Sequence, residues 1–168
     1  MHVLLIGCGR SGRRLAERLI QSGMDLVLID SDEAKLDALA DLGMASFVGH
    51  PIDQGILEAA DIASASAVIA MDNNENLNIM ACEMAKKLYH VPCCIARTYT
   101  PENEEFVRAL GLHTICSTEL TADAALLLLD HAQEEVARKI EKSSDAAKEK
   151  ILDEIQRSEV HSESRYKR

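Results

Sequence analysis

The sequence has no tryptophan, and aromatic residues occupy only 3% of its 168 positions. A core of Leu, Ile, Val, Ala and Met is typical of α/β layers and disfavours an aromatic-rich β-sandwich. The chain also lacks an apolar run of about 18 residues, so the sequence predicts no bilayer-spanning segment. The first apolar run begins at Val3, and we therefore expect no secretory signal peptide.

Basic residues are in the minority: 18 Lys and Arg face 28 Asp and Glu, giving a formal net charge of −10. This balance disfavours nucleic acid or an anionic membrane as a direct partner of the general surface. No CxxC pair occurs among the five cysteines, and the six histidines are scattered without ligand spacing. The sequence therefore predicts free thiols, no metal site and a cytoplasmic location.

Short apolar runs alternate with amphipathic stretches through two thirds of the chain. The runs predict six strands, at Val3–Ile6, Leu26–Ile29, Ala45–Val48, Ala67–Met71, Cys93–Arg97 and His113–Cys116. The stretches between them predict helices at Arg13–Ser22, Glu33–Leu42 with Ser31 as N-cap, Asp53–Ala60, Asn74–Leu88 and Pro101–Leu110. This order predicts an α/β fold: a Rossmann-like, doubly wound parallel sheet of six strands.

The alternation stops at the sixth strand, and a C-terminal helix-turn-helix extension is predicted to follow. Its parts are a helix over Leu120–Ile140, a polar break at 141–145 and a second helix over Ala146–Ile155. The apolar face of this extension could fold back on its own sheet or pack on another chain, and we favour the second. We expect a nucleotide-binding domain at 1–119, a dimerisation element at 120–157 and a polar tail at 158–168.

A glycine-rich motif directly follows the first predicted strand. The residues Gly7-Cys8-Gly9-Arg10-Ser11-Gly12 match G-x-G-x-x-G and precede a predicted helix, which is the context that gives this motif its meaning. The first glycine permits the tight turn, the second lets the backbone approach a diphosphate, and the third lets helix and strand pack closely. Backbone N–H groups at the helix N-terminus would face the phosphates, and Arg10 could add a guanidinium.

The second predicted strand ends at Asp30, 18 residues beyond Gly12. A carboxylate there accepts hydrogen bonds from ribose hydroxyls and repels a 2′-phosphate. The sequence therefore predicts NAD(H) or another adenosine nucleotide in preference to NADP.

Further polar residues follow the other strands at the edge where such sheets bind ligands. They are His50 after the third strand, Asp72 and Asn73 after the fourth, and Arg97 at the end of the fifth. Asp72 could equally serve as the N-cap of the next helix. No nucleophile or partner carboxylate can be assigned to His50, so the sequence offers no catalytic role for it.

Six segments in this order resemble the RCK domain, also called the KTN or TrkA N-terminal domain. They are GCGRSG, VLIDSD, FVGHP, AVIAMDNNENLN, IAR and GLHTICSTEL, and the resemblance covers about 1–125. It implies a cytosolic homodimer or larger ring that binds NAD(H), ATP or ADP. Such a protein gates a K⁺ channel or transporter at the inner face of the membrane and catalyses no reaction.

The resemblance also implies roles for individual residues. The phosphate loop falls on Gly7 to Gly12, the ribose acid on Asp30 with Ser31 beside it, and further ligand contacts on Asp72, Asn73 and Arg97. Glu119 falls on an interface carboxylate that in some members holds a cation, and the C-terminal helices resemble an element exchanged between subunits. The sequence departs from the family at His50, where an acid is usual. Many members continue into a second lobe that these 168 residues do not include, which leaves open a minimal stand-alone regulator or a truncated chain.

Two other functions remain open from the residues alone. One is a small NAD-dependent oxidoreductase, although no substrate domain follows the sixth strand and Tyr89 has no lysine four residues later. The other is an NAD or redox sensor that acts on another partner through Cys8. A thiol at a helix N-terminus can have a lowered pKa, but a small buried side chain is the role that we favour for Cys8.

Overall fold

The computed structural model describes the secondary structure of residues 1–165 and the side chains of residues 1–142. One sheet contains six parallel strands in the order β3-β2-β1-β4-β5-β6. The strands are β1 His2–Ile6, β2 Asp25–Asp30, β3 Ala45–Val48, β4 Ala67–Ala70, β5 Cys93–Thr98 and β6 His113–Cys116. The predicted Rossmann-like, doubly wound fold is confirmed.

The helices connect successive strands, as the parallel order requires. They are α1 Arg10–Gln21, α2 Glu33–Asp37, α3 Gln54–Ala59, α4 Glu75–Leu88, α5 Asn103–Ala109 and α6 Ser117–Arg165. Two 3₁₀ turns, Ala40–Leu42 and Ile62–Ser64, precede β3 and β4.

The four central strands of the sheet, β2, β1, β4 and β5, are mostly buried on both faces, which explains why they are apolar without alternation. On β1, Leu4 and Ile6 belong to one apolar cluster, while Val3 and Leu5 belong to another. All four side chains are fully buried. The central strand is therefore fixed from both sides, and the loop that follows it starts from a rigid position.

The strand order reverses between β1 and β4, which lie side by side in the middle of the sheet. The loops after these two strands emerge at the same carboxyl edge. A crevice at this switch point is where doubly wound sheets bind ligands. The topology thus brings the glycine-rich loop and the Asp72–Asn73 loop together.

Two helices have an N-cap other than the one considered from the sequence. The N-cap of α2 is Asp32, whose carboxylate accepts a hydrogen bond from the Ala34 N–H at 3.1 Å, and not Ser31. The N-cap of α4 is Asn74, whose side chain accepts from two backbone N–H groups, and not Asp72. Helix α1 starts three residues early, at Arg10, because Gly9 already takes the N-cap position.

The predicted helix-turn-helix is wrong in one respect: α6 continues through the expected break as a single helix of 49 residues. The segment 141–145 contains neither Gly nor Pro. Its Ser and Asp residues cost only about 0.5 kcal/mol each in a helix, and Glu and Lys are good helix formers. Of the predicted polar tail, residues 158–165 are helical, and 166–168 lie outside the described residues.

The chain divides into two compact units, Met1–Thr121 and a second that begins at Ala122. The first contains all six strands. Within residues 1–165, none of the helices combines the length and the apolar character needed to cross a bilayer. The functional domain boundaries expected from the sequence stay predictions.

Candidate functional site

The glycine-rich loop is held by contacts that leave no room for a side chain at two of its glycines. Gly7 has φ +88°, and its N–H donates to the Ile29 carbonyl at 2.9 Å. A Cβ on Gly7 would lie 2.5 Å from the Asp72 nitrogen, and one on Gly12 would overlap the Gly7 carbonyl oxygen. The loop after β1 therefore abuts both α1 and the loop after β4.

Gly9 differs from the other two glycines of the motif. It has φ −64°, and a Cβ built on it would have no atom within 4 Å. No side chain caps α1, and its first turn contains no acidic residue. The space beside Gly9 at this helix end is therefore open. A surface concavity of about 440 Å³ lies along α1 and is lined by Arg10, Ser11, Arg14, Leu15 and Arg18.

Asp30, the predicted ribose-binding acid, is tied to this loop. Its side chain is only 1% exposed. One carboxylate oxygen accepts a hydrogen bond from the Cys8 N–H at 2.7 Å. The other accepts from the Asp32 N–H at 2.9 Å and from Lys35 Nζ at 3.3 Å. The carboxylate therefore joins the ends of β1 and β2 and accepts three hydrogen bonds.

Cys8 is buried at the base of the loop, in agreement with its expected role as a small core side chain. Burial, followed by the nearby carboxylate of Asp30, raises the pKa of its thiol to about 12, and Lys35 opposes the rise only in part. The thiolate is the reactive form of cysteine. A thiol switch at Cys8, which would need a lowered pKa, is therefore disfavoured.

Asn78 connects the loop after β4 to the end of β5. This residue of α4 is fully buried. Its amide oxygen accepts from the Asp72 N–H at 2.8 Å, and its amide nitrogen donates to the Asp72 and Arg97 carbonyls, both at 2.9 Å. Three buried backbone groups thus find their partners on a single side chain.

Arg97 lies at the same edge and is 6% exposed. Its Nη2 donates to the Asp72 carbonyl at 2.7 Å and to Asn73 Oδ1 at 3.0 Å. The guanidinium lies 4.9 Å from the centre of the Tyr99 ring. Its Nε has no hydrogen-bond partner among the described residues, so the group retains a buried donor.

Glu75, at the start of α4, accepts hydrogen bonds from the segment that follows β5. Its carboxylate accepts from the Tyr99 and Thr100 N–H groups at 2.8 and 3.1 Å. It also accepts from Thr100 Oγ1 at 2.8 Å and from Asn103 Nδ2 at 3.0 Å. The same segment supports the start of α6, because Ser117 Oγ and Thr118 Oγ1 donate to the Thr98 and Tyr99 carbonyls.

We predict that Glu75→Gln lowers the free energy of unfolding at neutral pH, and that the difference from the wild type disappears in acid. The Tyr99 N–H and the Thr100 hydroxyl lower the pKa of the Glu75 carboxyl from 4.5. The charged form therefore stabilises the fold at pH values above 4.5, and this contribution disappears as pH falls through the folded-state pKa. We expect the variant to lose about 1 kcal/mol at pH 7, measured by urea unfolding between pH 3 and 7.

The control is Glu105→Gln, which removes an exposed acid on α5. It should follow the wild-type curve across the same pH range. A stability difference for Glu75→Gln that stayed constant from pH 7 to 3 would contradict the assignment.

The predicted site residues fall into two groups. The structure brings together the glycine-rich loop, Asp30, Asp72, Asn73 and Arg97. Ser31, His50 and Glu119 are exposed, and none of their side chains hydrogen-bonds to this cluster in the described part of the chain. Within that part, no three His, Cys, Asp or Glu side chains converge as metal ligands.

Four residues of the site were missed in the sequence: Lys35, Glu75, Asn78 and Tyr99. Only Asn78 left a usable signal, because it occupies a core position on the apolar face of α4, beside Ala81, Cys82 and Ala85. A buried amide among apolar neighbours needs several hydrogen-bond partners. The other three act through contacts that only the tertiary structure creates.

The TrkA-N domain matches residues 3–118 of this chain. The chain is 35% identical over 127 residues to the Trk system potassium uptake protein TrkA of Streptomyces coelicolor, covering 75% of this chain and 57% of that protein. It is 33% identical over 123 residues to a TrkA homolog of Methanothermobacter thermautotrophicus, covering 73% and 56%. The chain thus spans little more than half the length of these relatives.

Three solved structures share the fold. The TrkA-N domain of the Escherichia coli inner membrane protein ybaL has a TM-score of 0.71 at 25% identity, over 76% of this chain and 96% of that one. The AMP-bound Kef CTD of Shewanella denitrificans scores 0.67 at 22% identity, over 88% and 95%. GsuK bound to ADP scores 0.68 at 24% identity, over 78% and 34%. The resemblance stated from the sequence is confirmed: this chain belongs to the TrkA-N domain family.

Proposed function

We propose that this chain is a nucleotide-sensing regulatory domain of a K⁺ transport system. It binds an adenosine nucleotide, NAD(H) or ATP/ADP, at the carboxyl edge between β1 and β4. The observation that carries the proposal is the uncapped N-terminus of α1 behind the open position of Gly9, with the Asp30 carboxylate hydrogen-bonded into the same loop.

The phosphates bind at the start of α1. A helix N-terminus carries a partial positive charge and donors without intrahelical partners, and both favour an anion. The lack of a Cβ at Gly9 lets the phosphate oxygens reach the backbone N–H groups. Arg10, exposed in the first turn of the helix, supplies a formal positive charge.

The ribose binds near Asp30, and the rest of the nucleotide extends across the crevice. Asn73 is exposed at this edge and can contact the distal part, while the buried Arg97 holds Asn73 in place through its hydrogen bond to Oδ1. Solved structures of the same fold that hold AMP or ADP support an adenosine nucleotide as the ligand class.

The regulatory role is supported by the two relatives, which are named as Trk potassium uptake proteins. This chain spans little more than half of each relative. Its binding to a membrane partner, a K⁺ channel or transporter subunit, is therefore proposed as well. So is its place at the cytoplasmic face of the membrane. A ligand regulates such a partner by binding two conformations with different affinities, and coupling energies of about 1–3 kcal/mol are usual.

We predict that Asp30→Asn weakens the binding of ADP and NADH by at least about tenfold, the equivalent of 1.4 kcal/mol. An amide offers only one acceptor oxygen, and its NH₂ faces donors. Binding is measured by isothermal titration calorimetry, after a thermal-shift panel of NAD⁺, NADH, NADPH, ATP and ADP.

The matched control is Asp37→Asn, which makes the same change of charge on an exposed side chain of α2. It should bind nucleotides within about twofold of the wild type, a difference of less than 0.5 kcal/mol. If no adenosine nucleotide shifts the melting temperature of the folded wild-type protein, the proposed function is wrong.

We further propose that α6 forms a homodimer or a larger ring. Four large apolar residues at three-, four- or seven-residue spacing share one side of the helix: Leu126, Leu129, Val136 and Ile140. All four are more than half exposed in the single chain. An apolar stripe of this length is typical of helices that pack against another helix.

Val136→Glu is therefore predicted to shift the protein from dimer to monomer in sedimentation velocity. A charge in the middle of a helix–helix contact has no partner and loses its hydration. The control is Leu127→Glu, which introduces the same charge on a different side of α6. Equal sedimentation of the wild type and the Val136→Glu variant would contradict a dimer through this stripe.

A further inference from the structure

We propose that Lys35 is a gate on the ribose position: its ammonium occupies the acceptor site on Asp30 that a ribose hydroxyl needs, and a nucleotide must displace it. This inference rests on the proposed function and adds a residue that controls the affinity of the same site. It is carried by the hydrogen bonds of Asp30, by the burial of its carboxylate and by the position of Lys35 on α2.

The Asp30 carboxylate has little acceptor capacity left. A carboxylate offers about four lone-pair positions, and three of them are used: one on Oδ2 by the Cys8 N–H, and two on Oδ1 by the Asp32 N–H and Lys35 Nζ. With the side chain 1% exposed, a ligand cannot reach Asp30 while all its neighbours stay in place. For a ribose to bind, a group that covers this carboxylate must therefore move, and the three donors are the groups in direct contact with it.

Only Lys35 can move without disturbing the fold. The two amide donors belong to the tight turn after β1 and to the N-cap of α2, both fixed by backbone hydrogen bonds. Lys35 reaches Asp30 through a flexible four-carbon stem. Its contact is also the longest of the three, at 3.3 Å against 2.7 and 2.9 Å, and its side chain is 39% exposed.

A second carboxylate can receive the displaced ammonium. Asp32 Oδ2 lies 3.9 Å from Lys35 Nζ, on a side chain that is 51% exposed. Burial disfavours charge on Lys35, but Asp30, Asp32 and Asp72 outweigh it and raise the pKa of the ammonium. The lysine therefore stays charged, and it can pass from Asp30 to Asp32 without losing a carboxylate partner.

The test is the variant Lys35→Met, which keeps the length of the side chain and removes the donor. The probes are ADP and 2′-deoxy-ADP, with calorimetry on the full chain. The two nucleotides carry the same charge, so the lost positive charge affects both equally and cancels in the ratio of their dissociation constants. What remains in that ratio is the contribution of the 2′-hydroxyl.

We expect the ratio of the dissociation constants of 2′-deoxy-ADP and ADP to rise about threefold to tenfold in Lys35→Met. This is the range for one hydrogen bond, here from the 2′-hydroxyl to Asp30 in the absence of the competing lysine. Lys87→Met, which removes an exposed lysine on α4, should leave the ratio unchanged. If Lys35→Met does not fold, Lys35→Gln replaces it, since a neutral donor competes less for Asp30 than an ammonium.

A ratio that stays constant or falls in Lys35→Met would overturn the gate, because a fall would mean that Lys35 itself holds the ribose. That outcome leaves the proposed function intact, since the wild type still binds ADP. Failure of the folded wild type to bind either nucleotide removes the proposed function, and the gate with it.

Discussion

Gly12→Ala is expected to lower the free energy of unfolding by about 3 kcal/mol, the upper end for an overpacked interior position. A Cβ on Gly12 would overlap the carbonyl oxygen of Gly7. Relief would require a shift of backbone, because Gly7 is held by its hydrogen bond to Ile29 and by its close approach to Asp72. Urea unfolding followed by circular dichroism measures the loss.

Gly9→Ala is the matched control for Gly12→Ala. The same methyl group at Gly9 meets no atom within 4 Å, and its φ of −64° suits alanine. The stability of this variant should stay within about 1 kcal/mol of the wild type. Its ADP affinity should nevertheless fall, since the methyl group enters the space assigned to the phosphates. Equal stability of the Gly12 variant and the wild type would contradict the close packing of the loop.

The second large effect is expected for Asn78→Ala, with a loss of about 3 kcal/mol. The substitution removes the side-chain partner of the Asp72 N–H and of the Arg97 carbonyl, while the Asp72 carbonyl keeps its hydrogen bond from Arg97 Nη2. Each buried polar group left unpaired costs about 1–3 kcal/mol, and water that enters the gap recovers part of the sum. Thermal and urea unfolding give the difference.

Asn76→Ala serves as the control for Asn78→Ala. Asn76 lies two residues away on the same helix with its side chain exposed, so the change should stay within about 0.5 kcal/mol. The Asn78 variant should also exchange the amide hydrogens of the Asp72–Asn73 loop faster than the wild type, because that loop loses its anchor. Unchanged exchange in this loop would argue against the role given to Asn78.

The sheet and the glycine-rich loop could be predicted because their signals are local. Each strand is a short apolar run closed by turn residues, and the motif at Gly7 to Gly12 has fixed spacing to the strand before it and to Asp30 after it. Burial on both faces of a parallel sheet produces such runs directly. The position of Asp30 beside the loop follows from the pairing of β1 with β2.

Two kinds of feature could not be predicted from the sequence. One is the selection between two residues that could play the same structural role, and the other is a contact between residues far apart in the chain. Ser31 and Asp32 are both good caps, and only the backbone geometry selects Asp32. The polar segment 141–145 suits a turn or a helix about equally well, and the helix is formed. Lys35 was missed because its importance depends on where the Asp30 carboxylate points.

The hydrogen bond from Cys8 to Asp30 has a kinetic consequence. The turn that we propose for the phosphates is ordered without a ligand, because a buried carboxylate holds its backbone through a hydrogen bond of 2.7 Å. The entropic cost of ordering this turn therefore does not reduce the free energy of binding. Association should then need only the rearrangement of a side chain, a process of picoseconds to nanoseconds for exposed rotamers. We therefore expect the association rate of a nucleotide at this site to be limited by diffusion and not by ordering of the loop.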